Sequence, residues 1–168
     1  DLLIKLGIPY NSEEAEKVAT EIMKFINNES KKASENLARE KGAFLAWAES
    51  IYREKGQYIR NATTTTIAPT GSISIIAGAS SGIEPVFALA YERNILGGEK
   101  FIEIHPLLEE NPLLEEKLKE NGLYSKELLQ EIMEKGSLKD IPTIPDELKR
   151  VFVTAHEIEP EWHVRIQA

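Results

Sequence analysis

The sequence predicts an α/β fold, helix-rich with few strands. Three observations carry that expectation: apolar residues at helical spacing over residues 13–37, a β-branched run at Thr63–Thr66, and a charge-free stretch from Asn61 to Ile83 inside an otherwise charged chain. At 168 residues the chain suits one domain, or a large part of one, and can bury a real core. Its 20 Lys+Arg against 28 Asp+Glu give a formal charge of −8, an acid excess that argues against a general nucleic-acid binder. The absence of cysteine excludes a disulfide scaffold, a thiolate metal site and any thiol or thiyl chemistry on these residues. The opening Asp1-Leu2-Leu3-Ile4-Lys5 lacks the basic start and apolar length of a signal peptide, so the cytoplasm is the expected compartment.

Taken in order, Ala15, Val18, Ala19, Ile22, Ile26, Ala33 and Leu37 recur at helical spacing, with Asn11 or Ser12 available as N-cap. A second amphipathic stretch follows Gly42, carrying Phe44, Trp47, Ala48, Ile51 and Tyr52 on one side, so helices are expected over 12–55 and the aromatic stripe is expected to pack in a core. The strand and loop region spans 61–91. Its 23 uncharged residues from Asn61 to Ile83 hold nine Ser or Thr, three Gly and one Pro, which makes a poor membrane span and suggests a buried location. Thr63–Ala68 reads as a buried strand that Pro69 ends, because proline has no N–H for the ladder. Thr70–Ala77 can turn into a short helix, Gly78–Pro85 is a glycine-punctuated loop, and Val86–Tyr91 reads as another strand.

Farther on, Asn111-Pro112 opens a helix that Gly122 closes, and Ser125 to Gly136 repeats the layout. The pair is expected to form a helical hairpin insertion at about 105–140, charged and solvated, without chemistry. Pro142 and Pro145 bound a connector to a helix near Asp146–Thr154, and a last helix starts near Pro160 and still runs at Ala168, giving closing helices over 146–168. With no initiator Met and an uncapped helical pattern at its end, residues 1–168 read as a single piece of a longer polypeptide.

Strand, proline, Thr-Gly-Ser, helix is a layout that leaves backbone N–H groups unsatisfied at a helix start, beside two hydroxyls and a glycine. It suits a phosphate, and a plain helix cap explains it equally well. It is neither a Walker loop, since no Gly-Lys pair occurs, nor a dinucleotide fingerprint, since Gly78 and Gly82 do not fit the spacing. Glu84, the first charge after the neutral run, reads as structural. His105, His156 and His163 lack metal-ligand spacing, so no metal is expected.

The run Arg60-Asn61-Ala62-Thr63-Thr64-Thr65-Thr66-Ile67-Ala68-Pro69-Thr70-Gly71-Ser72-Ile73-Ser74 resembles the adenosylcobalamin-dependent (class II) ribonucleotide reductases. So do Ser80-Ser81-Gly82-Ile83-Glu84-Pro85-Val86-Phe87-Ala88-Leu89-Ala90-Tyr91 and the closing stretch from His156 through Pro160-Glu161-Trp162-His163-Val164-Arg165-Ile166-Gln167-Ala168. The likeness spans nearly the whole chain and is weakest over residues 105–140. It implies a C-terminal portion of a ten-stranded α/β barrel. It also implies that Thr70, Gly71, Ser72, Ile73 and Ser74 bind the phosphates of a ribonucleotide substrate, with Pro69, Ser81 and Glu84 supporting the loop from behind. The family's radical chemistry uses a thiyl cysteine, a redox cysteine pair and a neighbouring Asn and Glu. The finger loop with the radical cysteine, the cobalamin-facing half of the barrel and the C-terminal reductant cysteines are absent here, so no catalytic residue is carried over. Adenosylcobalamin is implied for the full-length enzyme and not for this piece. The implied partners are the ribonucleotide and the remainder of the reductase chain, with no nucleic acid and no membrane; a homo-oligomer is compatible. The alternatives are a standalone nucleotide- or phosphate-binding module without catalysis, and a scaffolding piece that packs through its helices against a partner.

Overall fold

The structure, a computed structural model, describes residues 1–94, 100–104 and 113–168. The chain divides into two compact units, Asp1–Glu16 with Pro69–Ala168, and Lys17–Ala68. The boundary falls inside α2 (Glu13–Lys41), whose N-terminus is capped by Ser12: its hydroxyl accepts the Ala15 N–H at 3.1 Å. Among the described residues no helix is long and apolar enough to cross a membrane.

The first unit opens with α1 (Leu2–Leu6), closed by Gly7 at φ 72°, and continues through α4 (Gly71–Ala77) to an antiparallel hairpin. That hairpin pairs β1 (Ala90–Asn94) with β2 (Lys100–Ile104), Ala90 lying opposite Ile104. Four helices complete the unit: α5 (Leu113–Glu120), α6 (Lys126–Lys135), α7 (Asp146–Val151) and α8 (Pro160–Gln167). Local signals set the ends of α5 and α6. Gly122 at φ 67° lets the Leu123 N–H reach the Leu118 carbonyl at 2.8 Å, the Ser125 hydroxyl accepts the Leu128 N–H at 3.0 Å, and Gly136 at φ 66° ends α6.

These two helices are not the solvated insertion that their charge suggests. Leu114 and Leu118 on α5, and Leu128 and Ile132 on α6, fall four residues apart on one face of each helix. They join Val86, Leu89, Leu138, Ile141, Ile144, Leu148 and Phe152 in the core of the unit. The charges take the opposite faces, in short-range pairs such as Glu115–Lys119 at 2.6 Å and Glu131–Lys135 at 2.7 Å. The expected opening at Asn111-Pro112 lies outside the described residues, as does the rest of the 105–112 stretch.

Below this core a capping box fixes the turn at Ala155–Glu157. The Thr154 N–H and hydroxyl both donate to one Glu157 oxygen at 2.7 and 2.8 Å, and Ser137 donates to the other. The Ala155 N–H then donates to the Val86 carbonyl at 2.8 Å, which ties the 86–89 segment to the helical layer.

In the second unit the buried positions of α2 are Ser34 and Ala38, while Phe25, Ile26 and Leu37 are exposed. The apolar stripe expected to face a core is therefore largely uncovered. A polar seam organises the unit instead: Ser34 accepts the Asn61 N–H at 2.9 Å and its carbonyl accepts the Arg60 N–H at 3.0 Å, while Ser30 donates to the Thr64 hydroxyl at 2.9 Å.

The stretch after Gly42 is not one helix. It is a 3₁₀ turn at Trp47–Glu49 followed by α3 (Ile51–Glu54), and its aromatics pair edge to face, Phe44 with Tyr52 and Trp47 with Tyr58, without full burial.

Three further expectations change. Thr63–Ala68 forms no strand and is mostly exposed. A strand needs a neighbour for its N–H and C=O groups, and no described residue pairs with this run. The strand expected over Val86–Tyr91 begins only at Ala90, because Val86 and Leu89 are used in the helical core. The second strand, Lys100–Ile104, has no counterpart among the expected elements. Of the ten strands that the family resemblance implies, two are visible among the described residues, and they form a hairpin rather than a barrel wall.

Candidate functional site

Thr70 stands at the turn into α4 with φ 52°, the one non-glycine residue of positive φ among those described. A β-branched residue is disfavoured there, so its surroundings must hold it. They do so at two atoms. Its carbonyl accepts the Ser74 N–H at 2.9 Å, which makes it the cap of α4, and its hydroxyl oxygen accepts the Gly82 N–H at 2.9 Å. The amides of Gly71, Ser72 and Ile73 form the first turn, where no intrahelical carbonyl is in reach. Gly71 faces open space, with no atom within 4 Å of the position a Cβ would take. Ser72 and Ile73 are exposed, and the Ser74 hydroxyl donates back to the Gly71 carbonyl at 2.8 Å. Ser74 therefore tightens the turn with its own proton, whereas Thr70 and Ser72 keep hydroxyl protons that donate to nothing among the described residues.

The loop behind carries the other expected residues. Glu84 folds back so that its carboxylate accepts the Ile83 N–H at 3.0 Å, and a Cβ on Gly82, itself at φ 67°, would collide with that carboxylate. Ser80 donates its N–H to the Asp1 carboxylate at 2.9 Å. Pro69 and Ser81 are exposed, and no hydrogen bond links Ser81 to Thr70 or Ser72 among the described residues. The structure thus brings Thr70, Gly82 and Glu84 together and leaves Ser81 aside.

Sequence reasoning missed Tyr10. Its hydroxyl donates to the Ile83 carbonyl at 3.1 Å, and burial first, then the nearby Glu84 charge, push the phenol up to about 12. It therefore stays a donor at neutral pH. No spacing signal links a tyrosine at position 10 to a loop 73 residues later.

The electrostatics of the turn are simple. No Lys or Arg occurs between Arg60 and Arg93, so the turn and the loop behind it bring amide dipoles and hydroxyls but no cation of their own, and the loop's one charge is the Glu84 carboxylate. No cluster of His, Asp or Glu among the described residues could hold a metal ion. His156 packs against Phe87 and His163 against Tyr10, while His105 lies outside the described residues.

The sequence pattern of the family described as ribonucleotide reductase, barrel domain, matches residues 1–59 and 53–168. A Thermoplasma acidophilum protein named vitamin B12-dependent ribonucleoside-diphosphate reductase is 55% identical over the full 168 residues, which are 21% of that relative. A Mycobacterium tuberculosis protein of the same name is 45% identical over 168 residues, 23% of its length. The chain thus spans about a fifth of the curated relatives it matches. Among solved structures, the Actinobacillus ureae class Id ribonucleotide reductase alpha subunit superposes with a TM-score of 0.75 at 28% identity, over 98% of this chain and 28% of that one. With the family pattern covering the chain from end to end, this protein belongs to the ribonucleotide reductase barrel-domain family.

Proposed function

We propose that the chain is part of the catalytic barrel of an adenosylcobalamin-dependent ribonucleoside-diphosphate reductase, an enzyme that converts ribonucleotides to deoxyribonucleotides for DNA synthesis, and that its Thr70–Ser74 turn holds the substrate phosphates. The observation that carries the reading is the 55% identity, unbroken over all 168 residues, to a relative named for that activity. The turn supports the phosphate assignment chemically. Three first-turn amides, the Thr70 and Ser72 hydroxyl protons and the bare Gly71 backbone offer donors to an oxyanion, while the Glu84 carboxylate behind the turn is engaged by the Ile83 amide. Ser74 serves the site by holding the turn, and Ile73 contributes only its backbone. Pro69 and Glu84 shape the loop ends, and Ser81 is exposed beside them.

Adenosylcobalamin supplies the radical-initiating chemistry of such an enzyme when bound. Among the described residues, the cleft lined by Lys31, Ser34, Tyr52 and Asn61 is about 160 Å³, too small to enclose a corrin ring. The cofactor and the cysteines of the radical and redox steps are assigned to the remainder of the reductase chain. The enzyme would act in the cytoplasm, with the ribonucleotide and that remainder as partners, and is compatible with a homo-oligomer.

The test uses the full-length reductase. A charge-assisted hydrogen bond is worth roughly 1.5–3 kcal/mol, so Thr70→Ala and Ser72→Ala should each raise the substrate KM about 10- to 150-fold while kcat holds, because the phosphates are remote from the reacting ribose. Gly71→Val should be worse, since a branched side chain blocks approach to the backbone. Ser74→Ala should change KM least. An unchanged KM in Thr70→Ala, Ser72→Ala and Gly71→Val would remove the turn from the substrate site.

A further inference from the structure

We infer that Tyr10 is a positioning residue for the Thr70 turn, acting through the 81–84 loop. Three successive peptide groups of that loop are each held by one side chain. The Gly82 N–H donates to the Thr70 hydroxyl at 2.9 Å, the Ile83 N–H donates to the Glu84 carboxylate at 3.0 Å, and the Ile83 carbonyl accepts from the Tyr10 hydroxyl at 3.1 Å. Peptide groups are planar and rigid, so fixing the last of the three restricts the first. The restriction is tight because Gly82 is in the left-handed region and has no room beside Glu84 for a side chain.

Tyr10 is itself braced. It is buried, its ring packs on His163 with centroids 6.1 Å apart, and His163 lies on α8, whose Arg165 clasps Glu16 at 2.6 Å. The phenol thus relays a fixed point in the helical layer to the Gly82 amide. That amide in turn occupies a lone pair of the Thr70 hydroxyl and leaves its proton available to donate. Thr70 at φ 52° is a conformation that persists only when its neighbours enforce it, and the chain through Tyr10 is the part of that enforcement lying outside the turn.

The inference rests on the phosphate reading of the turn, and the experiment separates the two. In the full-length reductase, Tyr10→Phe keeps the ring and removes only the donor. It should raise the ribonucleotide KM roughly 3- to 10-fold, the loss of one neutral hydrogen bond, at unchanged kcat. Combined with Thr70→Ala it should add nothing further, because Tyr10 acts through Thr70. A KM unchanged in Tyr10→Phe, or single effects that multiply in the double variant, overturns the positioning role while a raised KM in Thr70→Ala keeps the phosphate reading. An unchanged KM in Thr70→Ala removes both. A general loss of folding would lower the active fraction and so kcat, leaving KM in place, and that outcome also counts against positioning.

Discussion

The α5–α6 pair and the neutral run from Asn61 to Ile83 exchange the places that their compositions suggest. The pair is dense in charge, yet it supplies four residues to the core, with Leu114, Leu118 and Ile132 fully buried. The run carries no charge at all, yet Ile67 is 51% exposed, Ile73 62% and Ile76 85%. The difference lies in how each element satisfies its backbone. A helix bonds its own N–H and C=O groups and needs only one apolar face, so charges on the other face cost nothing. An extended run must borrow hydrogen bonds from a neighbouring strand, and composition cannot supply that neighbour. Within these 168 residues, charge counted by segment is a poor guide to burial, whereas charge placed by face is a good one.

The comparison breaks most visibly in the helical pair. Leu118→Ala and Ile132→Ala each empty a fully buried site, and large-to-small changes of that kind cost about 2–5 kcal/mol. Urea denaturation of the chain should show both as lower midpoints at unchanged slope. If the pair were a solvated insertion, each change would stay within about 0.5 kcal/mol.

Local signals were legible because they act within a few residues. Ser12 and Ser125 cap their helices, Gly122 and Gly136 end theirs, and Pro160 opens α8 at its first position. Long-range pairings were not. The run Lys100-Phe-Ile-Glu-Ile104 is too short and does not alternate cleanly enough to stand alone as a strand signal, and β1 starts four residues after the expected point because the core claims Val86 and Leu89 first. On α2 the apolar spacing marked one face, while the buried face is marked by Ser34, whose hydroxyl and carbonyl hold the 60–61 backbone. The site divides the same way. Thr70 through Ser74 could be read from the sequence, but the tie from Tyr10 through Ile83 and Gly82 joins residues with no pattern in common.

The loop behind Thr70 sharpens the comparison at intermediate cost. Gly82→Ala puts a side chain into a left-handed position already crowded by Glu84, for an expected loss of about 1–3 kcal/mol. Pairing it with Glu84→Ala should recover part of that loss by removing the clash, leaving the conformational part. Ser125→Ala removes the α6 cap and should cost about 1 kcal/mol. Both are read from denaturant midpoints. A Gly82→Ala variant as stable as the parent would mean that the loop is not held as described.

The Tyr10 phenol offers a titration rather than a substitution. Its pKa is raised from 10.0 to about 12, by burial first and then by Glu84. A group whose folded pKa lies above its unfolded value contributes stability that is complete below the unfolded pKa and lost as pH rises through the folded one. Stability should therefore fall between about pH 10 and 12 more steeply in the parent than in Tyr10→Phe. Equal slopes in the two proteins would show that the phenol gains nothing from its place in the fold.

The smallest expected effect is the most discriminating for the neutral run. Ile76 is a large apolar side chain in a stretch whose composition argues for burial, yet it is 85% exposed on α4. Ile76→Ser replaces it with a hydroxyl that water can solvate, and surface substitutions of this kind stay within about 0.5 kcal/mol. Serine has nearly the same helix propensity as isoleucine, so the backbone should register little either. A buried isoleucine at the same place would lose several times more, because the transfer of its side chain and the cavity left behind both count against the fold. The parent and variant midpoints in urea should therefore coincide. A drop of about 2 kcal/mol or more would return the run to the interior and erase its contrast with α5 and α6.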